Sequence, residues 1–154
     1  MPKQTTLKDL KQFLKKKKYH KISLTLTATN HFEVMGKING ITGRFILDTG
    51  ASNTCIGTDK IEYFNLISKE SEVKAAGAGA TEMETQLSTK NRLKLGNWKR
   101  KKQKIVLFDL VHINEALTNH KALPVDGIIG ADILKKGKAI IDYGTSTLYL
   151  KKKK

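Results

Sequence analysis

Two hydrophobic periods divide the chain. Over residues 6–18, Leu7, Leu10, Phe13 and Leu14 recur at helical spacing, with Asp9 in the first turn and lysines at the far end. The pattern predicts a short amphipathic helix, with Thr6 as its N-cap and a charge order that suits the helix dipole. The period then drops to two: Lys21-Ile22-Ser23-Leu24-Thr25-Leu26-Thr27 alternates strictly, as a half-buried strand does. A turn is expected at Asn30-His31, then a strand over 32–38, a tight hairpin at Asn39-Gly40 and a return strand over 42–47 that runs into Asp48. Farther along, short apolar stretches at 83–87, 93–95, 105–108, 126–130, 139–142 and 147–150 read as strands. Short helices are expected at 59–67 and 131–136, the second closed by Gly137. A glycine- and alanine-rich hairpin tip is expected at 73–81, and a basic loop around Gly96-Asn97. The fold class is therefore mainly β with one or two short helices.

Composition bounds this picture without changing it. At 154 residues the chain fits one domain with a real core, and 39% hydrophobic against 28% charged residues is ordinary for a water-soluble fold. No apolar run approaches the ~20 residues that cross a bilayer. The N-terminus shows no uninterrupted apolar segment of a secretory leader, and the single Cys55 excludes an internal disulfide, so a cytoplasmic location is expected. Net charge is +15, from 29 Lys+Arg against 14 Asp+Glu, which raises nucleic acid or an acidic membrane as a partner. The cations gather in runs at 15–18, 99–104 and 151–154, the pattern of solvated tails and loop tips. No aromatic interleaving or zinc-finger spacing accompanies them, which argues against nucleic acid.

The chemistry concentrates at Asp48. Its carboxylate follows an apolar strand and precedes Thr49 and Gly50, where the missing Cβ permits a close backbone approach. Asp-Thr-Gly alone is also a reasonable turn. The wider pattern narrows the choice. Ile46-Leu47-Asp48-Thr49-Gly50-Ala51-Ser52 is followed far downstream by Ile128-Ile129-Gly130-Ala131-Asp132-Ile133-Leu134, with the glycine-rich segment Gly77-Ala78-Gly79-Ala80 between them.

Over residues 22–150 this arrangement resembles the retroviral-type, or retropepsin-like, aspartic proteases, and within them the single-domain bacterial members. The resemblance implies a closed acid-protease β-barrel half, active as a homodimer, with a helical arm at 1–20, the protease domain at 21–150 and a lysine tail at 151–154. It makes Asp48 the catalytic carboxylate and Thr49, Gly50, Ala51 and Ser52 the active-site loop, with the Thr49 hydroxyl bonding across the dimer. Gly77, Ala78, Gly79 and Ala80 become the substrate-binding flap. Ile128, Ile129 and Gly130 become a strand beneath the loop and part of the substrate pocket. The substrate is a peptide or protein, and no metal or cofactor is implied. Two carboxylates about 3 Å apart share one proton around a water, one acting as base and the other as acid. Only one such motif is present, so a second copy of the chain must supply the partner. Asp126 and Asp142 lack the flanking Thr-Gly.

Two details individualise the resemblance. Ala51 stands where pepsin-like enzymes place a serine donor, so activity is expected to extend toward weakly acidic or near-neutral pH. Ser52 and Ala131 replace an acid–arginine pair typical of viral members, which points to a different dimer interface.

Other chemistries fit less well. Cys55 has no nearby histidine and reads as a small buried hydrophobe. His20, His31, His112 and His120 lack metal-ligand spacing, and the glycine-rich segment lacks the lysine of a phosphate loop. Trp98 is expected half-buried on a strand. The alternative to a protease is a catalytically silent module of the same fold that binds peptides or dimerises.

Overall fold

The computed structural model describes residues 7–75 and 83–152. The opening helix, α1, spans Leu7–Lys16 and buries Leu14. The alternating segment after it forms two strands, β1 (Tyr19–Ser23) and β2 (Thr25–Leu26), rather than one. The break falls where the chain changes partner. β1 pairs antiparallel with the last strand, β2 pairs with the next one, and Leu24 N–H donates to Ser146 between the two. Period two persists through the break, so alternation alone does not locate it.

The hairpin β3 (Phe32–Ile38) and β4 (Ile41–Leu47) turns at Asn39 and Gly40, both at positive φ (53° and 83°). That is the requirement of the tight turn that matches strand twist. Next come β5 (Cys55–Gly57) and, in place of the helix expected at 59–67, a 3-10 turn at Thr58–Lys60 followed by further turns. β6 (Lys69–Ala75) pairs with β7 (Met83–Leu95). The hairpin tip expected at 73–81 lies largely outside the described residues.

β7 joins two predicted strands into one of 13 residues, and β8 (Trp98–Phe108) is also longer than expected. The basic run at 99–104 is therefore part of a strand and not a loop tip. Trp98, Gln103, Ile105 and Leu107 are buried while Lys99, Lys101, Lys102 and Lys104 are exposed. One face of the ribbon supplies core while the other carries charge. Trp98 is fully buried rather than half-buried, and its indole N–H donates to Lys151 O at 3.0 Å.

A second helix, α2 (Val111–Asn119), stands where no helix was expected. The chain closes with β9 (Gly127–Ile129), α3 (Ala131–Lys136), β10 (Ile140–Asp142) and β11 (Thr147–Lys151).

Strand order runs β2-β3-β4-β9-β5-β8-β7-β6, and β3 also pairs with β7 through Lys37↔Lys94 and Ile38↔Leu93. That pairing closes β3, β4, β9, β5, β8 and β7 into a six-stranded barrel, with β2 and β6 as outer extensions. The barrel is filled by Val34, Ile38, Phe45, Ile56, Leu93, Leu95, Ile105, Leu107 and Ile129. The three-stranded sheet β1-β11-β10 adds Leu148 and Leu150 to the same core.

Candidate active site

The floor of the site is built on β9. It runs parallel to β4, with Ile46↔Ile128 and Leu47↔Ile129, and antiparallel to β5, with Cys55↔Ile128. The two strands either side of the 48–54 loop thus share one central neighbour. Gly127 makes this possible: a Cβ there would run into the Cys55 carbonyl. Asp126 sets the register beside it. It exchanges backbone hydrogen bonds with β4 and β5, and its Oδ2 accepts the Arg44 N–H at 2.9 Å. Asp142 is likewise occupied, capping the final turn by accepting Gly144 N–H and the Thr145 hydroxyl.

Asp48 emerges at the end of β4. Its N–H donates to Ile129 O at 3.0 Å, and its Oδ1 accepts the Gly50 N–H at 2.8 Å. The loop then folds back: Ala51 N–H donates to Asp48 O at 3.2 Å, and Ala51 O accepts the Ala131 N–H at 2.7 Å. Asp48 is half-buried, whereas Thr49, Gly50 and Ser52 are exposed. Gly130 lies directly beneath, where a Cβ would stand 2.8 Å from Ala51 O and Asn53 O.

Two residues that sequence reasoning left without a role hold this loop from below. Thr54 is wholly buried, and its hydroxyl donates to Asp132 Oδ1 at 2.8 Å while accepting the Gly130 N–H at 3.1 Å. Asp132 also accepts from Ile133 N–H at 2.9 Å and Gln103 Nε2 at 3.2 Å. The hydroxyl thereby satisfies one backbone donor and one carboxylate at once, a demand that buried polar groups impose. The available signal was a threonine opening the buried run Thr54-Cys55-Ile56-Gly57.

Cys55 is buried beside this network and donates to Asn53 O. Burial first, then the negative charges of Asp132 and Asp48, push its thiol up to about 12. A protonated thiol is a poor nucleophile.

Asp48 faces a cleft of about 730 Å³. Ile46 and Ile128 give it an apolar bed, and α2 forms one wall with Ile113, Ala116 and Leu117. The wall is anchored at its foot. Leu117 packs on Ile46 and Val125, while the Asn114 amide donates to Val125 O at 3.1 Å and accepts the Val125 N–H at 2.7 Å. Of the three residues expected as pocket, Ile128 lines the cleft. Ile129 turns its side chain into the barrel core, and Gly130 supports the loop. Gly77, Ala78, Gly79 and Ala80 lie outside the described residues. Among the described residues no cluster of His, Cys, Asp or Glu has the makings of a metal site, and no helix is long and apolar enough to cross a membrane.

This arrangement, a carboxylate on a loop pinned between two strands that share β9, is that of an acid-protease half. The profile of the aspartyl protease family matches residues 34–133, a span that includes Asp48-Thr49-Gly50 and Ile128-Ile129-Gly130, and the chain belongs to that family. Two solved structures share its retropepsin-like fold. One is a retropepsin-like aspartic protease from Rickettsia conorii, at 18% identity and TM-score 0.55 over 86% of this chain and 90% of that one. The other is EIAV protease in complex with the inhibitor HBY-793, at 21% identity and TM-score 0.53 over 71% and 90%. At these identities the likeness is one of fold. No curated protein matches the chain in sequence.

Proposed function

We propose that the chain is an endopeptidase that hydrolyses peptide bonds with a water held between two Asp48 carboxylates, one from each subunit of a homodimer. The observation that carries the reading is the setting of Asp48. It is the one carboxylate lining the cleft among the described residues, at the end of a loop whose backbone is tied to β9 and α3. One carboxylate cannot be base and acid at the same time, so the reaction requires a second. Beside the loop, exposed Thr49 borders a shallow depression with Ala131, Leu134, Ala139 and Ile141. A second subunit placed on that face would bring its own Asp48 loop to the axis.

In this reading one Asp48 takes a proton from the water as the water attacks the scissile carbonyl, and the other protonates the departing amine. Titration belongs to the pair. Gly50 and Ser52, both exposed, offer backbone to the substrate, and Ile128 contacts its side chains. The flap is assigned to Gly77, Ala78, Gly79 and Ala80 because they lie on the stretch joining the hairpin arms β6 and β7.

The test is cleavage of a peptide library by wild type and by Asp48→Asn, with oligomeric state followed by analytical ultracentrifugation. Wild type should cleave as a dimer, with specific activity falling on dilution into the monomer range. Asp48→Asn should lose at least about 10³-fold in kcat while keeping the fold, because removing a reacting group forfeits the chemical step. A dimeric wild type that cleaves nothing between pH 3 and 8 would overturn the protease reading in favour of the silent peptide-binding or dimerisation alternative.

A further inference from the structure

The cleft that Asp48 faces has a rim of cations and imidazoles that its apolar bed does not require. His112 and His120 come from α2 and the turn after it, Lys121 follows, and His31 comes from the loop opposite, before β3. All four are exposed. The His120 Nδ1 lies 2.8 Å from Ala116 O. A carbonyl only accepts, so Nδ1 carries the hydrogen, and Nε2 of the neutral ring is then an acceptor. His31 is oriented in a similar way by Thr29, with Nδ1 2.8 Å from Oγ1. Asp48 is the sole acidic residue lining the same space among the described residues.

We propose that this rim selects peptide segments with an acidic side chain, Asp or Glu, close to the scissile bond. The proposal rests on the protease reading above and gives it a substrate class. His31, whose Nδ1 can accept the Thr29 hydroxyl, and His112 can each donate a ring N–H to a carboxylate while neutral. His120, its Nδ1–H held by Ala116 O, donates through Nε2 only when protonated, and Lys121 adds an ammonium to the same rim. Hydrogen bonds to an ionised acceptor are roughly twice as strong as neutral ones. The apolar bed of Ile46 and Ile128 would take the neighbouring side chain, so the preferred segment joins one apolar and one acidic residue. The net charge of +15 acts in the same direction by steering acidic segments toward the protein.

The experiment compares matched peptides that differ only by Glu or Gln at each position flanking the cleaved bond, using the full-length dimer. At one position within three residues of the bond, Glu should raise kcat/KM about tenfold over Gln, and 0.5 M NaCl should shrink that ratio. The combined variant His31→Gln, His112→Gln, His120→Gln should bring the ratio to within about twofold of unity. Lys121→Glu, a single exposed change that leaves the imidazoles in place, should lower it by itself. Equal cleavage of Glu and Gln peptides by wild type overturns the proposal, as does a ratio unchanged in both variants. Should neither peptide be cut, the protease reading fails, and calorimetric binding of the same peptides decides about the rim. Tighter binding of Glu peptides then upholds it and equal binding overturns it.

Discussion

The floor and the wall of the Asp48 cleft are built on opposite terms. The floor comprises the 48–54 loop, β9 and the first turn of α3. Its buried polar groups are spent on one another, from Asp48 N–H on Ile129 to Thr54 on Gly130 and Asp132. The wall, α2, touches the barrel through Leu117, Ile113 and the Asn114 clasp, and turns histidines outward. A floor of this kind tolerates little change because each substitution leaves a buried group unpaired or a backbone displaced. A wall of this kind can vary its outer residues and so vary what the cleft accepts. On the protease reading proposed above, stability and chemistry sit in the floor and selectivity in the wall.

The largest effect should come from the point of closest approach in the floor. Gly127→Ala places a methyl group against the Cys55 carbonyl and near the Ile56 and Phe45 side chains. Backbone cannot yield as a flexible side chain can, so overpacking should cost at least about 3 kcal/mol in urea denaturation. An alanine accommodated at under 1 kcal/mol would mean that β5 and β9 are looser than the floor requires.

Next is Thr54→Val, which keeps the shape and deletes the hydroxyl. The buried Gly130 N–H loses its partner and Asp132 Oδ1 is left with the Ile133 N–H alone, at about 2–3 kcal/mol. Since Gly130 lies beneath the Ala51 carbonyl, activity should fall more than the folded fraction does. Thr54→Ser should restore most of both. A valine variant that behaves like wild type beside a serine variant that loses both would show that the methyl, not the hydroxyl, holds the loop.

Cys55 tests the floor by pH. Its folded thiol is raised from an ordinary 9.0 to about 12, so the folded state keeps a proton that the unfolded state releases. That contribution is intact below pH 9 and is lost as pH climbs toward 12, at up to about 1.4 kcal/mol per unit. Cys55→Ala, compared with wild type by denaturation at pH 8, 9.5 and 10.5, should show a shallower alkaline decline. Parallel curves would mean that the thiol ionises in the folded state as readily as outside it.

How much of this was legible follows from the same division. The end of the strand at Asp48, the β3–β4 hairpin and α3 with its preceding Ile-Ile-Gly were readable because local signals agree with the tertiary outcome. Positive φ demands Asn39-Gly40, and a buried strand demands an apolar run. Sequence periodicity failed where partners change or faces differ. Residues 21–27 alternate through a break that only β11 and β3 explain. The lysines of β8 looked like a loop because its inward side is carried by few residues among many charges. α2 escaped notice for a related reason. Its buried side amounts to Leu117, with half-buried Ile113 and Asn114, too narrow a stripe to stand out against exposed Val111 and Ala116. Thr54 and Asp132 are far apart in sequence, and their union depends on α3 folding back beneath the loop.

The smallest of these effects bears on the wall. Asn114→Ala removes the two hydrogen bonds that fasten α2 to Val125, in a partly exposed place where water can substitute. The expected cost is about 1 kcal/mol, below either floor variant. Its consequence for catalysis should differ in kind. Asp48 keeps its partners at Ile129 and Gly50, so kcat should move little while KM rises as the wall that bounds the bound segment loosens. Preference among peptides should broaden with it, because His112 and His120 ride on the helix or its exit. Steady-state kinetics on two peptides of different side-chain size would decide the matter. A fall in kcat equal to that of Thr54→Val, with KM unchanged, would mean that wall and floor move as one piece and that the division between them is wrong.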